Sequence, residues 1–183
     1  MALKKTSEII AIGFSVAESA PNTFAQTQVD LQLNPLDQEV FVVVAIDLDP
    51  TAPDVITNTN TQSLMSLSTT SRTSFGNLNS SSVLANAVYD VRADAANHVG
   101  FVRTSLDSPP ATLDYIGIIS TNDFFVQLVG TNNANAKDGF GRVWGYRAKA
   151  DSATYAALVQ SEILSACGGL IAICNPSAER HRR

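Results

Sequence analysis

The sequence predicts a mainly β protein: an antiparallel β-sandwich followed by one C-terminal helix, with a jelly-roll-like order among the arrangements it admits. Three observations carry this. Several short segments alternate apolar and polar residues with a period of two, as strands with one wet face do. Turns bearing Pro, Asn, Asp and Gly separate them with no helices in between, which disfavours a parallel α/β sheet. The period lengthens to that of a helix only once, after Asp151. At 183 residues, 45% of them hydrophobic and 16% charged, the chain fits a single β-rich domain with a full core.

The first strand is read over residues 9–16. With Lys4 and Lys5 before it and Glu18-Ser19-Ala20 after it, this stretch mimics a secretory signal, but Glu8 interrupts the apolar region, so a strand and no cleaved leader is expected. No segment reaches the roughly 20 apolar residues of a membrane-spanning helix. Val29, Leu31 and Leu33 alternate with polar neighbours and predict a second strand, closed by an Asn34-Pro35-Leu36-Asp37 turn. Residues 40–46 are apolar on both faces and suit a central strand covered on both sides; Pro50 and Pro53 end it.

Residues 57–82 are different: 19 of these 26 are Ser, Thr, Asn or Gln. A tract so poor in apolar side chains cannot order itself by burial. It is expected to be a polar insertion held by neighbouring copies of the chain. Residues 83–91 and 99–106 then predict a hairpin about Asp94-Ala95-Ala96-Asn97, and Ser108-Pro109-Pro110 breaks the chain. A second hairpin is expected from residues 113–119 and 124–129 about Ser120-Thr121-Asn122-Asp123, then a long loop over 130–141 and a last strand over 142–149. Asp151-Ser152 caps a helix over 153–166, with Tyr155, Leu158 and Ile163 on its apolar face and Gly168-Gly169 at its end. Residues 168–183 form a C-terminal extension.

The net charge of −5 combines an acidic body, 9 basic against 16 acidic residues through Pro176, with a basic end of 3 against 1. The body should repel nucleic acid. Cys167 and Cys174 cannot build a disulfide framework or a cysteine zinc site; a bond between them and a pair of small buried hydrophobes both remain open. The two histidines, His98 and His181, have no hydrolase, phosphate-loop or dinucleotide motif around them, so no catalytic residue is assigned and the chain is not read as an enzyme. Asn79-Ser80-Ser81 fits a glycosylation sequon, which arises by chance in so Asn- and Ser-rich a chain.

Two groups bear chemistry. Asp47, Asp49 and Asp54 supply the hard oxygen ligands that Ca²⁺ prefers, without the spacing of a calcium loop; a cleft between Asp47 and Asp49 is the corresponding hydrolytic reading. Solvated turn carboxylates are the plainer account, and no cofactor is required. Arg142, Trp144, Tyr146, Arg147 and Lys149 combine cations with aromatic rings that stack on bases or sugars, against the plainer reading of a core strand with a charged rim. The tail residues Arg180, His181, Arg182 and Arg183 could touch nucleic acid or an acidic neighbouring subunit, but are too few for charge-driven packaging. The apolar run with Leu170, Ile171 and Ile173 would be sticky if exposed, and either folds back on the sandwich or forms an assembly interface.

From residue 9 to residue 166 the pattern of short strands, Ser/Thr/Asn-rich loops and sparse charge resembles the small coat proteins of non-enveloped viruses and phages, though without a long basic arm. The resemblance implies a virion subunit, a homo-oligomer of many copies assembled in the host cytoplasm, with nucleic acid as a further partner and no membrane. The competing expectation is a calcium-dependent carbohydrate- or surface-binding sandwich using Trp144 and Tyr146 as a stacking platform.

Overall fold

The computed structural model describes residues 3–104 and 113–167, with helical side chains to position 164. It is mainly β, two five-stranded antiparallel sheets facing one another with one C-terminal helix. In the first sheet β10 (Asp138–Lys149) is central, flanked by β4 (Glu39–Pro50) on one side and by β1 (Lys4–Lys5) and β2 (Ile10–Ala17) on the other. The short β8 (Gly117–Ile119) closes the β4 side. The second sheet runs β3 (Ala25–Asp30), β9 (Asp123–Thr131), β5 (Thr61–Ser68), β6 (Val83–Ala93), β7 (His98–Thr104). Phe41, Val43, Ile46, Leu48, Met65, Leu67, Phe124, Val126, Leu128 and Val143 fill the space between them.

β4 is apolar on both faces because both are covered, as its sequence predicts. Opposite the Trp144–Gly145 step the register slips and Val44 becomes the extra residue of a β-bulge. The bulge switches parity: along β4, Phe41 and Val43 point inward before it, Ile46 and Leu48 after it. Val40 and Val42 are thereby turned to the outer face, where they pack with Ala148, Ala150, Tyr115, Ile118 and Tyr146. Gly145 is required at the slip, since a Cβ there would meet the Val42 carbonyl and the Phe41 ring.

The helix α1 (Ser152–Cys167) lies over this outer cluster through Tyr155 and Leu158. Asp151 caps it, accepting from Thr154 N–H at 2.8 Å. Glu162 docks it: its buried carboxylate accepts the Ser120 and Thr121 N–H groups at 3.0 and 2.9 Å. Tyr155, Leu158 and Glu162 recur at i, i+3 and i+7 and share a face, which leaves Ile163 turned outward, contrary to its expected apolar role.

Three further expectations are corrected. The polar tract is not an insertion outside the sheets, because β5 is the central strand of the second one. Met65 and Leu67 enter the core while Ser66 and Ser68 face the other way, where residues 69–82 cover them. Polar groups pair with polar groups there: Gln127 donates to Ser68 Oγ (2.8 Å) and Gln26 (3.1 Å), and Ser66 Oγ donates to Gln127 (2.9 Å) and accepts Gly76 N–H (3.0 Å). The chain itself therefore holds the tract by hydrogen bonding, where the sequence suggested neighbouring copies. The second hairpin does not form either, as β8 pairs with β4 and β9 with β5 and β3, on opposite sheets. Finally, β3 ends at Asp30 because Gln32 takes a left-handed backbone, φ 51°, although Leu31 and Leu33 remain buried.

The first hairpin forms as expected, β6 against β7 about Asp94–Asn97. The expected loop 130–141 shortens to 132–137, because β9 and β10 run into it.

Candidate functional site

Asp47, Asp49 and Asp54 do not converge. Among the described residues no three His, Cys, Asp or Glu side chains gather as a metal-holding group. Asp47 and Asp49 lie exposed on the outer face of the first sheet, opposite Arg142 and Phe140 of β10. Asp54 is spent elsewhere. It pairs with the buried Lys137 ammonium at 2.7 Å and accepts the Ala134 and Asn135 N–H groups at 2.9 Å each. The hydrogen bond from Lys137, and after it that from the Asn135 backbone, hold its carboxyl below the ordinary carboxylate range against the opposing cost of burial.

That pair belongs to a clamp at one end of the sandwich. Glu18, buried, accepts Gly130 N–H at 2.6 Å and Lys137 N–H at 2.9 Å. Asn22 and Asn133 exchange amide and backbone bonds at 2.9 and 2.7 Å, and Asn133 also reaches the Gln62 carbonyl and the Asp54 N–H. The clamp fixes loops and leaves its charged groups occupied. Nothing in the sequence spacing brings Glu18, Asp54 and Lys137 together, and they escape a reading confined to motifs.

The β10 group divides. Phe140, Arg142, Trp144 and Tyr146 alternate onto the outer face of the first sheet, where the Arg142 guanidinium stacks over the Trp144 ring at 5.7 Å and Lys5 over Tyr146 at 5.4 Å. Tyr146 is half-buried beside the helix-covered cluster, while Phe140 and Arg142 are exposed. Arg147 leaves the row, donating to the Leu31 carbonyl at 3.0 Å and pairing with Glu39 at 3.5 Å. Lys149 lies 3.7 Å from Asp37. The outer-face patch is therefore Phe140, Arg142 and Trp144 beside Asp47 and Asp49. Leu170, Ile171, Ile173, Cys174, Arg180, His181, Arg182 and Arg183, and the 108–110 break, lie outside the described residues.

A second surface went unrecognised in the sequence. All seven residues of β7 are exposed, with Val99 at 54%, Phe101 at 50% and Val102 at 63%. The strand ends its sheet. Its signal was the run Val99-Gly100-Phe101-Val102, which puts apolar side chains on both faces of one strand, more than a single core can absorb. Ile163 and Leu164 expose a separate apolar pair on α1, on the outer side of the other sheet. His98 opens β7 and is exposed.

No protein-family model matches the sequence, and no curated protein matches it. Among solved structures the chain is similar to one from Desmodium yellow mottle tymovirus, at 8% identity over 79% of this chain and 91% of that one, with a TM-score of 0.31. It is also similar to a tailspike protein gp49 of Acinetobacter baumannii bacteriophage Fri1, a capsular polysaccharide depolymerase, at 11% identity and a TM-score of 0.15. That match covers 74% of this chain and 21% of the tailspike. Neither superposition is close enough to bear a functional argument. The fold is a two-sheet antiparallel sandwich with a docked C-terminal helix. No helix among the described residues is long and apolar enough to cross a membrane.

Proposed function

We propose that this chain is a structural subunit that assembles in many copies, as the coat subunit of a virion-like shell. The observation that carries the reading is apolar surface exposed in two separate places: the free edge β7 of one sheet, and Ile163 with Leu164 on the helix outside the other. Such surface is a liability on a monomer and an asset at an interface. Two patches of different composition favour contacts that extend beyond a dimer, since unlike surfaces repeated on each copy propagate into rings or shells. The clamp, meanwhile, commits Glu18, Asp54 and Lys137 to bracing loops, and the buried polar network does the same with Gln127, as a subunit of fixed shape needs. The assignment to a virion comes from the coat-like sequence pattern, and the role is read as structural, not enzymatic.

The test is the mass of the purified protein by size-exclusion chromatography with light scattering, then negative-stain imaging of any large species. A particle of many 19.4 kDa chains is expected. A species of one or two chain masses at every protein concentration and salt would overturn the reading.

One observation favours a second reading, a surface- or glycan-binding sandwich: the Arg142–Trp144 stack with Phe140 beside it. Trp144 is the only tryptophan, so its fluorescence reports that patch directly. Saturable quenching by an oligosaccharide would support this reading, and a flat titration across a glycan panel would reject it.

A further inference from the structure

We propose that β7 pairs with β7 of a second copy across a two-fold axis through Phe101, joining two five-stranded sheets into one of ten. The inference rests on the assembly reading and specifies one of its contacts.

The argument begins with the backbone. Asp94 N–H donates to Asn97 O at 2.9 Å, so these two residues close the hairpin as a hydrogen-bonded pair. Bonded and non-bonded pairs alternate from there along an unbroken register. Val99, Phe101 and Arg103 therefore spend their N–H and C=O groups on β6. Those of His98, Gly100, Val102 and Thr104 face the open side, where the sheet has no further strand among the described residues. A row of free donors and acceptors in that phase is matched by another strand edge.

The other edges are blunted and β7 is not. β3 carries Gln26, Gln28 and Asp30. The β1–β2 edge is broken at residues 6–9 and bears Lys4, Lys5 and Glu8, and β8 has only three residues. β7 has no proline, lysine, carboxylate or register slip. Its one fixed charge, Arg103, is paired with the buried Asp90 carboxylate of its own chain at 3.1 Å. The body of the chain is strongly acidic, so copies repel over most of their surface; β7 lets them meet without opposing like charges.

The self-match fixes the partner as a second copy. Phe101 is the midpoint of the seven residues, so a two-fold there pairs the whole strand with itself. His98 then faces Thr104 and Gly100 faces Val102, and all four have their backbone groups on the open side. Phe101 meets its symmetry mate as a non-bonded pair with Cα atoms about 4.5 Å apart, the closer of the two spacings. Val99 lies opposite Arg103, so the apolar side chains cluster about the axis.

The test is cross-linking in a Cys167→Ser/Cys174→Ser background. Phe101→Cys should oxidise to a covalent dimer on a non-reducing gel, because that spacing suits a disulfide, while Leu36→Cys, fully in solvent, should not. Val102→Lys introduces the charge that protected edges carry and should raise the concentration needed for assembly by about tenfold or more, with the melting temperature unchanged. Hydrogen exchange of the unaltered protein, concentrated against dilute, should show new protection at Gly100 and Val102. If the unaltered chain assembles but these amides stay open, Phe101→Cys does not cross-link and Val102→Lys assembles normally, the seam is wrong while assembly stands. If the unaltered chain never exceeds one chain mass, the assembly reading fails and the seam with it.

Discussion

Asp54 shows what one carboxylate does in this fold. Among the described residues it is the sole acidic partner of the Lys137 ammonium within ion-pair distance, and that side chain is almost wholly buried. Removing one member of a buried pair strands the other charge, so Asp54→Asn should cost about 3 kcal/mol in chemical denaturation. The pH dependence follows from the direction of its shift. Because the folded carboxyl titrates below its unfolded value, its stabilisation is complete above the ordinary carboxylate range and is lost as pH falls through the lowered native value. Asp94, held by the Ala96 and Asn97 N–H groups, and Asp151, held by Thr154, act in the same sense. Melting temperature should therefore fall on acidification, and less steeply in Asp54→Asn; a variant curve parallel to the native one would contradict the assignment. Gln127 is the neutral counterpart. It is fully buried and made of hydrogen bonds, so Gln127→Leu leaves Ser66, Ser68 and Gln26 short of partners and should cost about 2–3 kcal/mol, with faster amide exchange over residues 69–82.

At the scale of the element, α1 is attached by a short apolar contact and one carboxylate. Glu162→Ala removes the acceptor for two backbone N–H groups, of which that of Ser120 is buried. The expected loss is about 2 kcal/mol, together with early proteolysis within residues 152–167 while the sheets stay protected. Cleavage and unfolding that remained simultaneous would show that the helix is not separately anchored. Elements whose partners are adjacent in sequence were legible: the β6–β7 hairpin from its turn, the central β4 from its apolar run, the helix from its cap. Those set by distant partners were not. β5 reads as polar because half its side chains face a hydrogen-bonded layer, and burial there does not require apolar character. β8 and β9 read as a hairpin because turn chemistry does not reveal that a chain crosses between sheets. The acidic site failed for a related reason, as spacing placed Asp47 and Asp49 on one face but could not show that Asp54 is committed to Lys137.

For the whole molecule the deciding balance is between apolar seams and net charge. Each copy carries −5, and Asp47 and Asp49 add exposed negative charge to an outer face of the first sheet. Assembly must overcome that repulsion wherever copies approach within a screening length, which is about 30 Å at 0.01 M salt and about 8 Å at 0.15 M. The contacts proposed here are apolar on the helix patch and along β7, whose one fixed charge, Arg103, is paired within its own chain, so salt weakens the repulsion between copies without removing an attraction between them. Raising salt from 0.01 to 0.15 M should therefore lower the protein concentration at which light scattering first rises. An interface built on Arg142 or the basic end pairing with acidic neighbours would respond in the opposite sense, since salt screens such pairs and the threshold would climb. The sign of that shift thus separates an apolar strand seam from an ion-paired contact before any residue is changed.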